Sequence, residues 1–257
     1  MSATTLTPPI RVDAAGVHAR PALGRLVAVE LRKMVNTRAG FWLQAATVAL
    51  TALVVIVRCA VGGAANHTFA AVLDVGIKPA AVLLPIAGIL LVTSEWSQRT
   101  GMITFALVPV RSRVLGAKLV ASTLLALAML VASVAIVAAG VLAVDGAWSD
   151  AAPLIGQAAV YLAAGMLTGV AFGAILLAST PAMVVLFALP IAWTGVASLA
   201  PFADAAPWLD TRLALGPMPQ HVMSSTEWAH AATALTLWMA LPLVAGAWRI
   251  TRREVAA

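Results

Sequence analysis

Residues 41–57 read Phe41-Trp-Leu-Gln-Ala-Ala-Thr-Val-Ala-Leu-Thr-Ala-Leu-Val-Val-Ile-Val57, without a single ionisable side chain. A stretch of roughly 20 such residues, rising about 1.5 Å each, crosses the ~30 Å hydrocarbon core of a bilayer. Hydrocarbon offers the backbone no hydrogen-bond partner, so the chain must close its own bonds as a helix or a sealed barrel. Barrel strands alternate apolar and polar residues, and this run does not alternate. It reads as a transmembrane helix.

Working outward, similar apolar runs fill most of the chain. Apolar residues make up 62% and charged residues 10% of the 257, against about 45–50% and 25% in soluble domains. A water-facing core cannot hide that much apolar surface. Spans are expected near 41–59, 79–93 (prolonged from 69), 116–144, 154–178, 182–199 and 228–248. Turn signals separate them, including Asp145-Gly146 and Ser179-Thr180-Pro181. The fold class is therefore an all-α polytopic membrane bundle of six transmembrane helices. Residues 1–20, a mix of Thr, Pro, Ala and Gly, read as a disordered cytoplasmic tail, with no signal peptide. Residues 41–253 form the membrane domain, interrupted by the outer segment 201–227, whose Trp and Leu content suggests interfacial or re-entrant pieces.

Before the first span, residues 21–40 show helical periodicity. Leu23, Leu26, Val27, Leu31, Met34 and Val35 share one stripe, while Arg25, Arg32, Lys33 and Asn36 take the other. An amphipathic helix of this kind, which also carries Glu30, is expected to lie in the headgroup layer. An ordinary juxtamembrane flank is the alternative.

Charge sets the orientation. With six spans and a cytoplasmic N-terminus, thirteen of the sixteen lysines and arginines fall on the inner side, leaving only Arg58, Lys78 and Arg212 outside. That asymmetry is the positive-inside pattern with both termini cytoplasmic. It accounts for the formal charge of +6 without a nucleic-acid partner. Lysine is scarce beside arginine and alanine is abundant, which suggests a GC-rich bacterial genome and hence a multi-pass protein of the bacterial cytoplasmic membrane.

The spans carry almost no ionisable residue near their centres. Arg58, Glu95 and Lys118 sit at span ends, where they are expected to snorkel. Buried mid-span charges are what proton-coupled pumps and voltage sensors use, so their absence argues against those classes. Nor is there a phosphate-binding loop, since Gly116-Ala117-Lys118 lacks the earlier glycine and the hydroxyl. No catalytic residue or metal site is assigned; His221, Glu227 and His230 match no standard ligand spacing. Gly165, Gly169 and Gly173 form a doubled small-xxx-small pattern. It is either a helix-packing face or a by-product of abundant glycine and alanine. Gln44, Gln157 and Tyr161 are the few polar groups in spans, suited to a pathway lining or to interhelical hydrogen bonds.

The most specific stretch is 93–119: Thr-Ser-Glu-Trp-Ser-Gln-Arg-Thr-Gly-Met-Ile-Thr-Phe-Ala-Leu-Val-Pro-Val-Arg-Ser-Arg-Val-Leu-Gly-Ala-Lys-Leu. Its apolar centre, 102–108, is too short to span, and Glu95, Arg99, Arg111, Arg113 and Lys118 bracket it. Glu95 and Arg99 have the favourable i,i+4 spacing. An amphipathic cytoplasmic helix and a passive loop both fit.

The order of a basic amphipathic helix, a first span, Ser-Glu-Trp-Ser-Gln-Arg-Thr, Leu-Val-Pro-Val-Arg-Ser-Arg and Gly-Ala-Lys-Leu resembles permease subunits of type-2 ABC exporters, with actinobacterial members most alike. The resemblance runs from about residue 23 to 253. Many members carry Gly-Thr after the glutamate, where this chain has Thr100-Gly101. It implies a half-transporter that pairs with a second permease, identical or homologous, and with two ABC ATPase subunits that bind ATP and magnesium; this chain then holds no cofactor. It further implies a coupling segment, 95–113, docked on the ATPase through Glu95, Arg99, Met102, Phe105, Leu107, Arg111 and Arg113. The helix bearing Arg25, Glu30, Arg32 and Lys33 is implied as a second contact. A self-sufficient secondary carrier or channel, and a non-transporting membrane assembly factor, are the competing classes.

Overall fold

The computed structural model describes residues 22–61, 63, 67–97, 111–197, 199–202 and 204–252. Residues 1–20, residues 98–110 and Arg253 lie outside the described residues, and with them Arg99, Met102, Phe105 and Leu107. Arg111 is described as part of a helix, without its side chain.

Helix α1 (Leu23–Asn36) ends where Thr37 turns extended, at φ −77° and ψ 149°. The Thr37 hydroxyl then accepts the N–H of Gly40 at 3.1 Å, satisfying one orphan donor at the start of α2 (Arg38–Val61). Thr68 caps α3 (Phe69–Gly76) in the same way, accepting from Ala71. One residue, Ile77, separates α3 from α4 (Lys78–Ser97), and together they make a single span. Helix α5 (Arg111–Ala143) has 33 residues, about 50 Å at the standard rise, so it tilts or projects beyond a ~30 Å core. Asp145 and Asp150 adopt left-handed conformations (φ 51° and 58°) in the turn before α6 (Ala151–Leu176). Leu177, also left-handed, closes α6 with its N–H on the Gly173 carbonyl. The α7 helix (Ser179–Ala197) follows directly. Two short helices, α8 (Ala206–Leu209) and α9 (Thr211–Leu215), precede α10 (Ser225–Leu235), a π-helical turn (Thr236–Ala240) and α11 (Leu241–Arg252).

Among the described residues, six helical stretches are long and apolar enough to cross a membrane: Arg38–Val61, Phe69–Glu95, Ser112–Ala143, Ala151–Leu176, Ser179–Ala197 and Ser225–Ile250. Strands are absent there; the only β pairing is an isolated bridge between Thr68 and Ala147. The chain is an all-α helix bundle with the character of a multi-pass membrane protein. Its outward faces carry large apolar side chains such as Ile56, Val131, Ile191 and Val244, all more than 60% exposed. Water would penalise such a surface and lipid does not.

The core is built around α4 and α6. Glycines let their backbones meet, because hydrocarbon gives helices no hydrophobic drive to associate and close packing must supply it. A Cβ on Gly169 would stand 2.0 Å from the Pro85 carbonyl oxygen, and one on Gly88 2.5 Å from that of Met166. Gly173 lies against Ile89, and Gly165 meets the Pro85 ring at ordinary distance. The glycine pattern of the fourth span is thus an intramolecular helix–helix contact. Phe69, Val72, Leu73, Val137, Val141 and Leu154 complete the core at one end of the bundle, and Val27, Met34 and Ala117 at the other.

Gly169→Ala should lower the thermal unfolding midpoint in detergent, with an overpacking cost of about 1–3 kcal/mol. Gly156→Ala on the same helix, where the added methyl meets nothing within 4 Å, should leave the midpoint unchanged or raise it. Equal midpoints for the two variants would contradict the close α4–α6 contact.

Candidate functional site

At the end of the bundle that carries α1, four charged side chains close into a ring. Lys33 Nζ donates to Glu30 Oε1 and to Glu95 Oε1, both at 2.8 Å. Lys118 Nζ donates to Glu30 Oε2 at 2.8 Å and to the Leu91 carbonyl at 3.2 Å, and it lies 3.0 Å from Glu95 Oε1. The three ammonium protons of Lys118 thus have three acceptors. Two acids and two bases make the ring formally neutral. The side chains of Glu30, Glu95 and Lys118 are only 5–7% exposed, whereas that of Lys33 is 38% exposed.

Three helices supply these groups. On α1, Val27, Glu30 and Met34 are spaced three and four apart and form the buried face. Leu26 and Leu31 are half-buried, while Leu23 and Val35 of the expected apolar stripe are exposed. Glu30 therefore points into the protein, although a helix lying in the headgroup layer would turn it to water. Arg25 and Arg32 are exposed, as the amphipathic reading has them. Glu95 sits near the C-terminal end of α4, and Lys118 two turns into α5.

Snorkelling of Glu95 and Lys118 gives way to this arrangement. Each finds opposite charge inside the bundle, and leaving either bare in an apolar setting would cost several kcal/mol. Burial works against the charged form of Lys33, but its bonds to Glu30 and Glu95, with the attraction of both carboxylates, outweigh that and raise its pKa above the ordinary 10.5. The stabilisation linked to Lys33 is fully present below that value and is lost as pH climbs through the raised one.

The ring lies at both roots of segment 98–110, since α4 enters it and α5 leaves it. Of the expected coupling residues, the structure places Glu95 in the ring and Arg113 half-exposed on α5, without an ion pair among the described residues. The two other helix ends nearby are also tied down. Thr93 and Ser179 hydroxyls meet at 2.8 Å, and the Arg249 guanidinium donates to the Ile175 carbonyl, where a cation suits a helix C-terminus.

Periodicity missed the ring because Lys118 lies 88 residues from Glu30 and Lys33 lies 62 from Glu95. The available signal was a glutamate at helical spacing from Val27 and Met34. Gln157 is a satisfied structural group: its amide donates to the Met218 and His221 carbonyls and accepts from the Met223 N–H. The side-chain amide of Gln44 meets no hydrogen-bond partner among the described residues. His221 meets Glu227 at 2.8 Å, Glu227 closes a capping box with Ser224, and His230 stacks edge-on against Trp208.

No protein-family model matches the chain, and no curated protein is significantly similar to it.

Lys118→Met leaves two buried carboxylates with one shared, half-exposed counterion. It should cost about 3–5 kcal/mol, read as a lower unfolding midpoint in detergent. Adding Glu30→Gln should restore part of the loss, so the double variant is more stable than the two single losses summed would allow. Strict additivity would mean that the ring is not one coupled unit.

Proposed function

We propose that the chain is the membrane-spanning permease subunit of an ATP-driven exporter of the type-2 ABC class, working with separate ATPase subunits and a second permease in the bacterial cytoplasmic membrane. The observation that carries this reading is the ion ring at the roots of segment 98–110. Force applied to that segment reaches α4 and α5 at their ends, and the ring passes it to α1. Separating any of the three would strand a buried charge, so they move as one body. A soluble ATPase that binds the segment and the exposed basic face of α1 then has a direct mechanical connection to two spans.

Two further observations agree. The sequence has no phosphate loop, and the ionisable groups set within a span are few, the paired Asp74 and Lys78 among them, which agrees with an energy source in another chain. The spans Ser179–Ala197 and Ser225–Ile250 are the least buried in their most apolar stretches, leaving broad apolar faces for lipid or for a second permease. In this mechanism Glu30, Lys33, Glu95 and Lys118 are transmitting residues, while Arg99, Met102, Phe105, Leu107, Arg111 and Arg113 supply the docking contact.

Phe105→Asp or Leu107→Asp should leave the protein inserted but uncouple hydrolysis from export when it is reconstituted with its ATPase. Wild-type export and substrate-stimulated hydrolysis in both variants would remove the coupling assignment. Transport by the chain alone in liposomes would replace the proposal with a self-sufficient carrier. Cys59 is the only cysteine, so a Cys59→Ala background carrying Arg113→Cys or Arg212→Cys reports orientation. Impermeant maleimide added to intact cells should label the cysteine at 212 and spare the one at 113.

A further inference from the structure

A cavity of about 400 Å³ lies between α4, α6, α7, α9, α10 and the π-helical turn, away from the ion ring. Its volume is within the range of small-molecule sites, about 300–1,000 Å³. Aromatic rings of Tyr161, Phe172, Phe187 and Trp238 line it, and Arg212 stands among its lining residues.

The regular bonding of three helices fails at this cavity. A proline cannot donate to the carbonyl four residues before it. Pro85 in α4, Pro190 in α7 and Pro242 in α11 therefore deprive Ala81, Leu186 and Trp238 of their usual helical partners. All three deprived residues line the cavity. Trp238 belongs to the π-helical turn, where the Leu241 N–H reaches back five residues to Thr236; such turns recur at functional sites. Missing helical bonds are costly in hydrocarbon and are tolerated where backbone faces a cavity.

The mouth is held in place from three sides. Gln157 on α6 pins the 218–223 loop. Asp210, 2% exposed, accepts from the Thr194 hydroxyl of α7 and from the Arg212 N–H, fixing the start of α9. The Trp238 indole donates to the Leu209 carbonyl at 2.7 Å. Arg212 itself projects as an exposed side chain, and no carboxylate among the described residues pairs with its guanidinium. An apolar, aromatic chamber with one unpaired guanidinium at a rigid mouth suits a molecule with a hydrocarbon body and an anionic head.

We infer that this cavity binds one anionic amphiphile, its chain among Phe172, Phe187 and Trp238 and its phosphate or carboxylate on Arg212. The inference does not rest on the exporter reading, because it needs only the cavity and its mouth.

Native mass spectrometry of the full chain in dodecyl maltoside tests it with three probes of equal chain length: lysophosphatidylglycerol, a fatty acid and a monoacylglycerol. One equivalent of at least one anionic probe should be retained per chain, about tenfold or more tighter than the neutral monoacylglycerol. The ratio of the two anionic probes tells phosphate from carboxylate. Arg212→Gln should remove that preference while the neutral probe binds as before, and Thr168→Phe, which fills the chamber, should weaken all three. Glycerol phosphate, the head without a chain, should not be retained. Equal retention of anionic and neutral probes, an unaltered preference in Arg212→Gln, or unsaturable multiple binding would overturn the inference. Should Thr168→Phe fail to fold, Arg212→Gln decides alone, because its exposed side chain makes no ion pair among the described residues.

Discussion

A peptide group without a partner is expensive in hydrocarbon, and this single cost organises the molecule. It forces the apolar runs into helices, since only a helix settles its backbone bonds within one segment. It also gives each exception a place. The residues that three helix-interrupting prolines deprive of partners line one cavity, and the Gln157 amide satisfies three backbone groups of the 218–223 loop.

The same accounting applies to charge. Glu30, Glu95 and Lys118 tolerate burial because each meets opposite charge at 2.8–3.0 Å. A ring of this type adds little to stability compared with well-packed apolar residues, yet breaking it is costly. Such a contact does more to fix which helices move together than to hold the fold. Its position at the roots of segment 98–110 gives that coupling a use under the exporter proposal.

Much of the fold was legible in the sequence. Apolar runs marked all six spans, the second only when prolonged back across Lys78 and Asp74, because hydropathy and length are local properties. The glycines at 165, 169 and 173 offered a packing face as one of two readings, and their partner, Pro85 and Ile89 on α4, could not be read from spacing. The site was harder to see. Spacing gives Glu30 only as one charged group of an interfacial helix, because its buried partner Lys118 is remote in sequence. Pro85, Pro190 and Pro242 are each visible as helix interrupters; that the residues four before them line one cavity is a fact of three-dimensional packing alone.

The backbone contact between α4 and α6 has a mechanical consequence. Flexible side chains separate most helix pairs and can yield by changing rotamer, but at Gly169 and Gly88 the two main chains touch with nothing between them to compress. The pair therefore behaves as a stator. Any opening of the bundle falls to α7, whose contacts run through deformable side chains such as Leu186 and Phe187, because α11 also meets α6 at close range, at Gly246 against Ala174.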